Sequence, residues 1–237
     1  MTIAQLFGRV SRKCSTAFDV LFPQIASVRH KDKFSSHLPV LVAVAALTKP
    51  EQILELGAGL FSTVAFVDTS LFPTLQSIVS VEDDLKWSSV IRKKVPAADR
   101  LTLLNTGSVP RWAETADLGA YPFIFVDDST QISDRAQTIR AVLSRARADA
   151  VIVIHDFEQA AYQAAVPLPW LAFRFAAFTP ETAVVFQDPQ MRDDLARINQ
   201  IMLANRDNFR PSSGADWRLA FSAAGIGGDT DPAAKGP

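Results

Sequence analysis

Five short, largely apolar segments alternate with helical patterns, and this rhythm constrains the fold more than any other feature of the sequence. The segments lie at 52–56, 77–81, 101–105, 122–126 and 150–154. Strands that lack a polar alternation are typical of a parallel sheet covered by helices on both faces. Crossovers between parallel strands are almost always right-handed, so the sequence predicts a doubly wound α/β sheet.

The last part of the predicted domain breaks this rhythm. Residues 170–178 and 183–188 are joined by a short turn, "TPET", which indicates a β-hairpin. A closing helix is predicted over 191–209. The two hairpin strands bring the predicted sheet to seven strands.

The two ends of the chain have different patterns. Helical spacing predicts N-terminal helices over 3–27 and 37–48. Ser36 is expected to cap the second of these helices, which Pro50 ends. We therefore expect an N-terminal helical extension over 1–36, a single domain over 37–210, and a flexible tail over 211–237, where small and turn-forming residues dominate.

Charge and cysteine content exclude several classes of partner and site. Lys and Arg total 24 and Asp and Glu total 25, so the net charge is −1. A chain this close to neutral is not expected to bind nucleic acid or a membrane surface. Cys14 is the only cysteine, which excludes an internal disulfide and a thiolate zinc cluster and favours a reducing, cytoplasmic location. The amphipathic N-terminus leaves a mitochondrial transit peptide open.

A glycine-rich turn follows the first predicted strand. The sequence "ELGAGLFST" places Glu55 before the turn and Gly57 and Gly59 within it. Glycines permit torsions and close approaches that a Cβ would block, and ligands in such sheets bind at the carboxyl ends of the strands. Glu82 stands at the end of the second strand, where a carboxylate can accept both hydroxyls of a ribose.

This combination resembles the class I S-adenosylmethionine-dependent methyltransferases, which have a Rossmann-like seven-stranded fold. Their first motif is an acid, an apolar residue and then Gly-x-Gly-x-Gly; here Phe61 stands at the third glycine. The resemblance covers about residues 40–190. It implies that Glu55, Gly57, Gly59 and either Ser62 or Thr63 hold the methionine portion of S-adenosylmethionine. It also implies that Glu82 holds the ribose and that the antiparallel sixth and seventh strands form the hairpin.

A nicotinamide-binding turn is the alternative interpretation of the glycines. It would place glycine or alanine at position 62, where this chain has Ser62, and it usually comes with a second domain, for which the chain has no room. The third strand is followed by "TGSVPRW". In the resembled family this loop lines the adenine, which implies a contact from Ser108 and stacking by Trp87 or Trp112, although core packing explains either tryptophan equally well.

The fourth and fifth strands end in polar residues that face the same cleft. Asp127 follows the fourth strand, and His155 and Asp156 follow the fifth, so all three are expected to face the acceptor. In the resembled family the position of Asp127 often contacts the sulfonium ligand or the substrate, which implies a cofactor contact for Asp127 as well. His155 is the residue type best suited to act as a base toward an acceptor hydroxyl. Alternatively, Asp127 and Asp156 could hold Mg²⁺, as in the catechol-type enzymes of the family, with Glu158 as a further candidate ligand.

A third interpretation is that the His-Asp pair only caps the next helix. His30 and His37 are expected to be surface or hydrogen-bonded residues, although His37 could line the acceptor pocket.

The resemblance implies methyl transfer to a small molecule, most often on oxygen, with S-adenosylmethionine as the donor. The alternative function is a non-catalytic protein that keeps the fold and acts through its surface, since a fold does not by itself determine a function. A small-molecule substrate and a homodimer are both compatible with the sequence, and the acceptor is not identified by it.

Overall fold

A seven-stranded sheet lies at the centre of the structure, a computed structural model that describes residues 36–204 except 70 and 96. The spatial order of the strands is β3-β2-β1-β4-β5-β7-β6, and β7 runs antiparallel to both of its neighbours. The predicted doubly wound sheet with an antiparallel terminal hairpin is therefore confirmed. The strands are β1 (Gln52–Leu56), β2 (Ser77–Glu82), β3 (Leu101–Asn105), β4 (Phe123–Val126), β5 (Val151–His155), β6 (Leu171–Phe175) and β7 (Thr182–Phe186).

Helices cover both faces of this sheet. None of the described helices is long and apolar enough to cross a bilayer. They are α1 (Leu38–Thr48), α2 (Ser62–Val67), α3 (Leu85–Lys94), α4 (Val109–Ala113), α5 (Ile132–Arg145), α6 (Ala160–Gln163) and α7 (Met191–Ala204), with a short 3₁₀ helix at Leu118–Ala120.

The core is divided by the sheet into two apolar layers. Helix α1 is apolar on nearly all sides, and its Leu41 belongs to the layer that contains Ile53 and Phe125. Helix α5 is amphipathic and places Ile139 in the opposite layer, together with Leu54. Burying each such side chain contributes about 1.5–3 kcal/mol, so both helices are fixed against the sheet mainly by apolar packing.

The helix after the glycine turn, α2, is short and ends at Val67. Asp68 adopts an extended backbone, and its carbonyl accepts hydrogen bonds from Leu71 N and Phe72 N, which makes a turn there. The predicted helix over 3–27 and the predicted tail over 211–237 lie outside the described residues.

Gly57 brings the turn after β1 against the backbone that follows β4. Its φ is +91°, and an added Cβ would lie 2.3 Å from the Asp127 carbonyl oxygen and 2.5 Å from the Asp128 Cα. Gly57 N also donates to the Val81 carbonyl oxygen at 2.9 Å. The turn is therefore fixed between the ends of β2 and β4, which sets the position of the glycine loop above the sheet.

We expect Gly57→Ala to lower the free energy of unfolding by about 3 kcal/mol or more, because a methyl group collides with backbone and the torsion disfavours L residues. Chemical denaturation would measure this loss. Gly107→Ala is the matched control, since nothing lies within 4 Å of an added Cβ there. Equal stability of the two variants would contradict the packing described for Gly57.

Candidate functional site

A cavity of about 870 Å³ opens at the carboxyl ends of the central strands. This volume lies in the range of roughly 300–1,000 Å³ that is common for small-molecule sites. Loops after β1, β2, β4 and β5 contribute to the cavity. The lining includes His37, Gly57, Gly59, Ser62, Glu82, Trp87, Asp127, Arg135, His155 and Asp156.

Glu55 supports the glycine loop from below and does not line this cavity. Its Oε2 atom accepts a hydrogen bond from Thr63 Oγ1 at 2.7 Å and another from Ser80 Oγ. Thr63 Oγ1 in turn accepts from Gly59 N at 2.9 Å. The chain Glu55–Thr63–Gly59 therefore fixes the loop and the start of α2. Direct contacts of Glu55 and Thr63 with a cofactor remain predictions.

Glu82 lies at the cavity wall, at the end of β2. Its Oε1 atom accepts from Asp83 N at 3.0 Å and from Asp84 N at 2.8 Å, which orients the carboxylate. Opposite it, Trp87 Nε1 donates to the Ala58 carbonyl oxygen at 2.7 Å and so links α3 to the glycine loop. A fixed carboxylate beside a half-exposed indole suits a ligand with vicinal hydroxyls and an aromatic ring.

Ser108 and Trp112 lie away from the cavity lining. Ser108 is the N-cap of α4, and its hydroxyl accepts from Arg111 N at 3.5 Å. Trp112 packs against the apolar layer on the α5 side of the sheet. The predicted contact of Ser108 with adenine therefore stays a prediction, and Trp87 is the tryptophan that the structure places beside the cavity.

Arg135 joins the carboxylates that follow β4 and β5. Its Nη1 atom lies 3.0 Å from Asp127 Oδ1 and 2.7 Å from Asp156 Oδ2, and its Nε lies 3.8 Å from Asp128 Oδ1. The guanidinium is almost fully buried and also lies over the Tyr162 ring, 5.6 Å from its centroid. The positive charge of Arg135 therefore links the carboxylates that follow β4 to the carboxylate that follows β5.

This arrangement does not support the predicted Mg²⁺ between Asp127 and Asp156. Nη1 of Arg135 contacts one oxygen of each carboxylate, so the guanidinium already occupies the position between Asp127 and Asp156 where a metal ion was expected. A hard dication at that position would have to displace a buried cation of the same sign. The structure also gives Asp156 a φ of +56°, a torsion that Asp tolerates better than most residues.

His155 lies behind Asp127 and has both ring nitrogens engaged. Nδ1 is 3.2 Å from Asp127 Oδ1, and Nε2 is 2.9 Å from Ser36 Oγ. Burial alone would lower the pKa of His155, but the hydrogen bond and charge of Asp127 raise it. Ser36 does not cap α1 as predicted. The N-cap position of α1 is His37, and Ser36 Oγ donates to the Pro180 carbonyl oxygen instead.

The same contacts act on Asp127. Burial would raise the pKa of this carboxyl, but the hydrogen bond from His155 and the charges of His155 and Arg135 lower it. Asp127 also lines the cavity, with 22% of its side chain exposed. Asp127 is therefore an ionised carboxylate that a ligand can reach.

His37 is buried at the cavity wall with no hydrogen-bond partner for either ring nitrogen among the described residues. Its ring lies against His155, with 4.7 Å between centroids, and its Nδ1 is 4.0 Å from Asp127 Oδ2. Burial, followed by the charge of His155, lowers the pKa of His37 to about 3. His37 is therefore a buried, neutral imidazole rather than the surface or hydrogen-bonded residue that was expected first, and it lines the cavity, as the alternative allowed.

Arg135, which organises the acidic cluster, was not predicted from the sequence. Arg135 lies four residues before Ile139 and seven before Val142, which are both buried on α5. Residues with this spacing share one face of a helix. The apolar stripe of α5 therefore contained the signal, because an arginine on that stripe must be buried and paired.

Comparisons with known proteins agree with this architecture. No family model and no curated protein match the sequence. Among solved structures, a putative caffeoyl-CoA O-methyltransferase from Staphylococcus aureus is similar at 10% identity with a TM-score of 0.53, covering 64% of this chain and 82% of that one. Human methyltransferase-like protein 13, in complex with S-adenosylhomocysteine, is similar at 19% identity with a TM-score of 0.50, covering 77% and 96%.

Likeness at these identities shows the fold. The chain has the fold of the class I S-adenosylmethionine-dependent methyltransferases, as the glycine turn and the acid at the end of β2 predicted.

The buried carboxyl of Glu55 leads to a prediction about pH. Burial raises its pKa from 4.5 to about 7, although hydrogen bonds from Ser62, Ser80 and Thr63 oppose the shift. The folded protein therefore keeps a proton that the unfolded chain loses. We expect the contribution of Glu55 to stability to fall by about 2–3 kcal/mol as the pH rises from 4.5 to 7, and to stay constant above that.

Glu55→Gln keeps the size of the side chain and removes the titration. The difference in unfolding free energy between this variant and the wild type, measured by urea denaturation at about pH 5 and about pH 8, isolates the effect of Glu55. The variant should gain stability relative to the wild type as the pH rises. Parallel pH profiles would show that Glu55 is not the buried carboxyl described above.

Proposed function

We propose that this protein transfers a methyl group from S-adenosylmethionine to a hydroxyl oxygen of a small molecule. The observation that carries the proposal is the convergence, in one cavity, of the glycine loop, the carboxylate of Glu82 and the Asp127–Arg135–Asp156 cluster. The loop and Glu82 would hold the donor, and the cluster would meet the acceptor. Bound S-adenosylmethionine would supply the methyl group as an electrophile on its sulfonium.

The residues on the α2–α3 side of the cavity fit the donor. Glu82 offers a fixed carboxylate, which can accept hydrogen bonds from ribose hydroxyls, and Trp87 offers an aromatic face beside it. Ser62 lines the cavity at the start of α2 and would contact the methionine portion with the Gly57–Gly59 loop. A bound sulfonium would also be favoured by the nearby ionised Asp127.

Asp127 is the group we propose for the acceptor. Its carboxylate reaches the cavity and would accept a hydrogen bond from the acceptor hydroxyl, which would direct an oxygen lone pair toward the methyl group. Alignment of two bound reactants can contribute on the order of 7–11 kcal/mol, so orientation can provide much of the rate. The acceptor proton would leave toward the carboxylate or solvent as the new C–O bond forms.

His155 and Asp156 would act through Asp127 and Arg135. His155 Nε2 faces the buried Ser36 and Nδ1 faces Asp127, so neither nitrogen points directly at the space for an acceptor. We therefore propose His155 as a positioning residue for Asp127, in place of the direct base that the sequence favoured. Asp156 holds the other side of the Arg135 guanidinium and keeps it directed at Asp127.

The boundaries of the domain and its location in the cell are also part of this proposal. We propose that residues 37–210 form one methyltransferase domain that acts in the cytoplasm on a small molecule.

We expect Glu82→Gln to weaken binding of S-adenosylmethionine at least about tenfold, because hydrogen bonds to a charged group are worth about 1.5–3 kcal/mol. Isothermal titration calorimetry would measure the dissociation constant. Glu51→Gln is the matched control, since Glu51 is exposed and precedes the opposite, amino end of β1. No binding by the wild type, or equal binding by both variants, would contradict the proposed donor site.

We expect Asp127→Asn to lower turnover by about 100-fold while S-adenosylmethionine still binds, because the amide accepts a proton and orients a hydroxyl less well. Release of S-adenosylhomocysteine in the presence of a panel of phenols and aliphatic alcohols would measure turnover. Asp149→Asn is a control on an exposed carboxylate away from the cavity. Wild-type turnover by Asp127→Asn would rule out the proposed role of this residue.

A further inference from the structure

We propose that His37, Asp127 and His155 form a binding site for a divalent transition-metal ion at the floor of this cavity. One ligand atom from each residue lies within 4.8 Å of the other two. This site is different from the Asp127–Asp156 pair that Arg135 bridges. Its existence does not depend on the proposed methyl transfer, whereas the role we give the metal below does.

The ligand atoms lie near one another but farther apart than in a metal-bound shell. His155 Nδ1 is 3.2 Å from Asp127 Oδ1, and His37 Nδ1 is 4.0 Å from the other carboxylate oxygen, Oδ2. Metal–ligand distances of about 2.0–2.1 Å at tetrahedral angles separate neighbouring ligands by roughly 3.4 Å. With one atom from each residue within 4.8 Å of the others, binding would draw the ligands together by up to roughly 1.4 Å, through rotation of the Asp127 carboxylate and the histidine rings.

His37 supplies the independent evidence for a ligand. Its side chain is 2% exposed and both ring nitrogens lack hydrogen-bond partners among the described residues. Burying polar groups without partners costs about 1–3 kcal/mol each, and such groups are rare in native proteins. A metal ion bound to Nδ1 would satisfy one of these nitrogens and would explain why a histidine lies at this position.

The hydrogen bonds around His155 direct Nδ1 at Asp127, where a metal ion would replace the proton that the two atoms share. Ser36 Oγ donates its single proton to the Pro180 carbonyl oxygen, so it accepts from His155 Nε2. With Nε2 protonated, a neutral His155 presents the Nδ1 lone pair to the Asp127 carboxylate. A cation must then lie between these two atoms, either a proton or a metal ion. A hydrogen bond from the other ring nitrogen is the usual support of a metal-binding histidine.

The charge around the site favours a dication. Three carboxylates, those of Asp127, Asp128 and Asp156, contact the guanidinium of Arg135. The carboxylates outnumber the one guanidinium, so the cluster can hold a further positive charge, either the proton on His155 or a metal ion in its place. The same arginine binds Asp127 Oδ1, which orients the carboxylate and leaves Oδ2 on the side of His37.

The donor set indicates the kind of metal. Two imidazole nitrogens and one carboxylate oxygen suit zinc or another borderline divalent ion better than magnesium or calcium. Three protein ligands leave coordination positions open, as in catalytic zinc sites.

Within the proposed function, the metal would bind the acceptor oxygen and lower the pKa of its hydroxyl. The hydroxyl proton would pass to solvent, the O–C bond would form and the C–S bond would break.

Metal titration of the full chain, after chelator treatment and dialysis, tests the site without any acceptor. Calorimetry with Zn²⁺ gives stoichiometry and affinity, and the visible spectrum of Co²⁺ reports nitrogen and oxygen coordination. The background variant Cys14→Ser removes the only thiol, and His30→Ala is the control that removes the only other histidine. His37→Gln and His155→Gln remove one ligand each and keep similar size.

We expect the wild type and His30→Ala to bind one ion with equal affinity, and His37→Gln and His155→Gln to bind about 100-fold more weakly or not at all. Absence of a stoichiometric site in the wild type, or undiminished binding by His37→Gln, would overturn the proposal. Thermal unfolding of each variant, with and without S-adenosylmethionine and no metal, distinguishes a folding defect from ligand loss. If S-adenosylmethionine does not raise the melting temperature of the metal-free wild type, the proposed function is contradicted. The metal site is then judged by the metal titration alone.

Discussion

The contact between the Gly57 backbone and the residues that follow β4 is the constraint on which the site depends. It removes any space for a side chain at Gly57 and holds the glycine loop directly beside Asp127. The loop lies in the half of the cavity that we propose for the methyl donor, and Asp127 lies in the half that we propose for the acceptor. Because the contact is between backbone atoms, the separation of these halves is set by the sheet itself rather than by flexible side chains.

The second organising feature is the buried guanidinium of Arg135. It makes short contacts to Asp127 and Asp156, which follow neighbouring parallel strands whose carboxylates would otherwise repel each other. Removing one partner from such a buried network typically costs about 3–5 kcal/mol, because the remaining charges lose their compensation. The cluster therefore stabilises the strand ends and, at the same time, fixes the orientation of the Asp127 carboxylate beside the two histidines.

Features that depend on local sequence could be predicted, and features that arise from tertiary contact could not. The apolar strands, the Gly57 turn and the acid at the end of β2 follow from patterns within a few residues, and the structure places them as expected. Ser36 looked like a helix cap because capping is a local rule, yet its hydroxyl bonds to Pro180 and His155 from distant segments. Nothing in the sequence around His37 indicates that its ring is buried with no hydrogen-bond partner in the described part of the chain, since that depends on the packing of α1 over β4 and β5.

The most direct test of the central claim, that the glycine loop and Glu82 hold one nucleoside donor, is a crystal structure of the protein with S-adenosylhomocysteine. We expect the ribose hydroxyls to lie within hydrogen-bond distance of the Glu82 carboxylate, with the amino-acid end beside Gly57 and Ser62. The sulfur would then point toward Asp127. A ligand bound elsewhere, or a cavity that stays free of ligand at saturating concentration, would contradict this interpretation of the site.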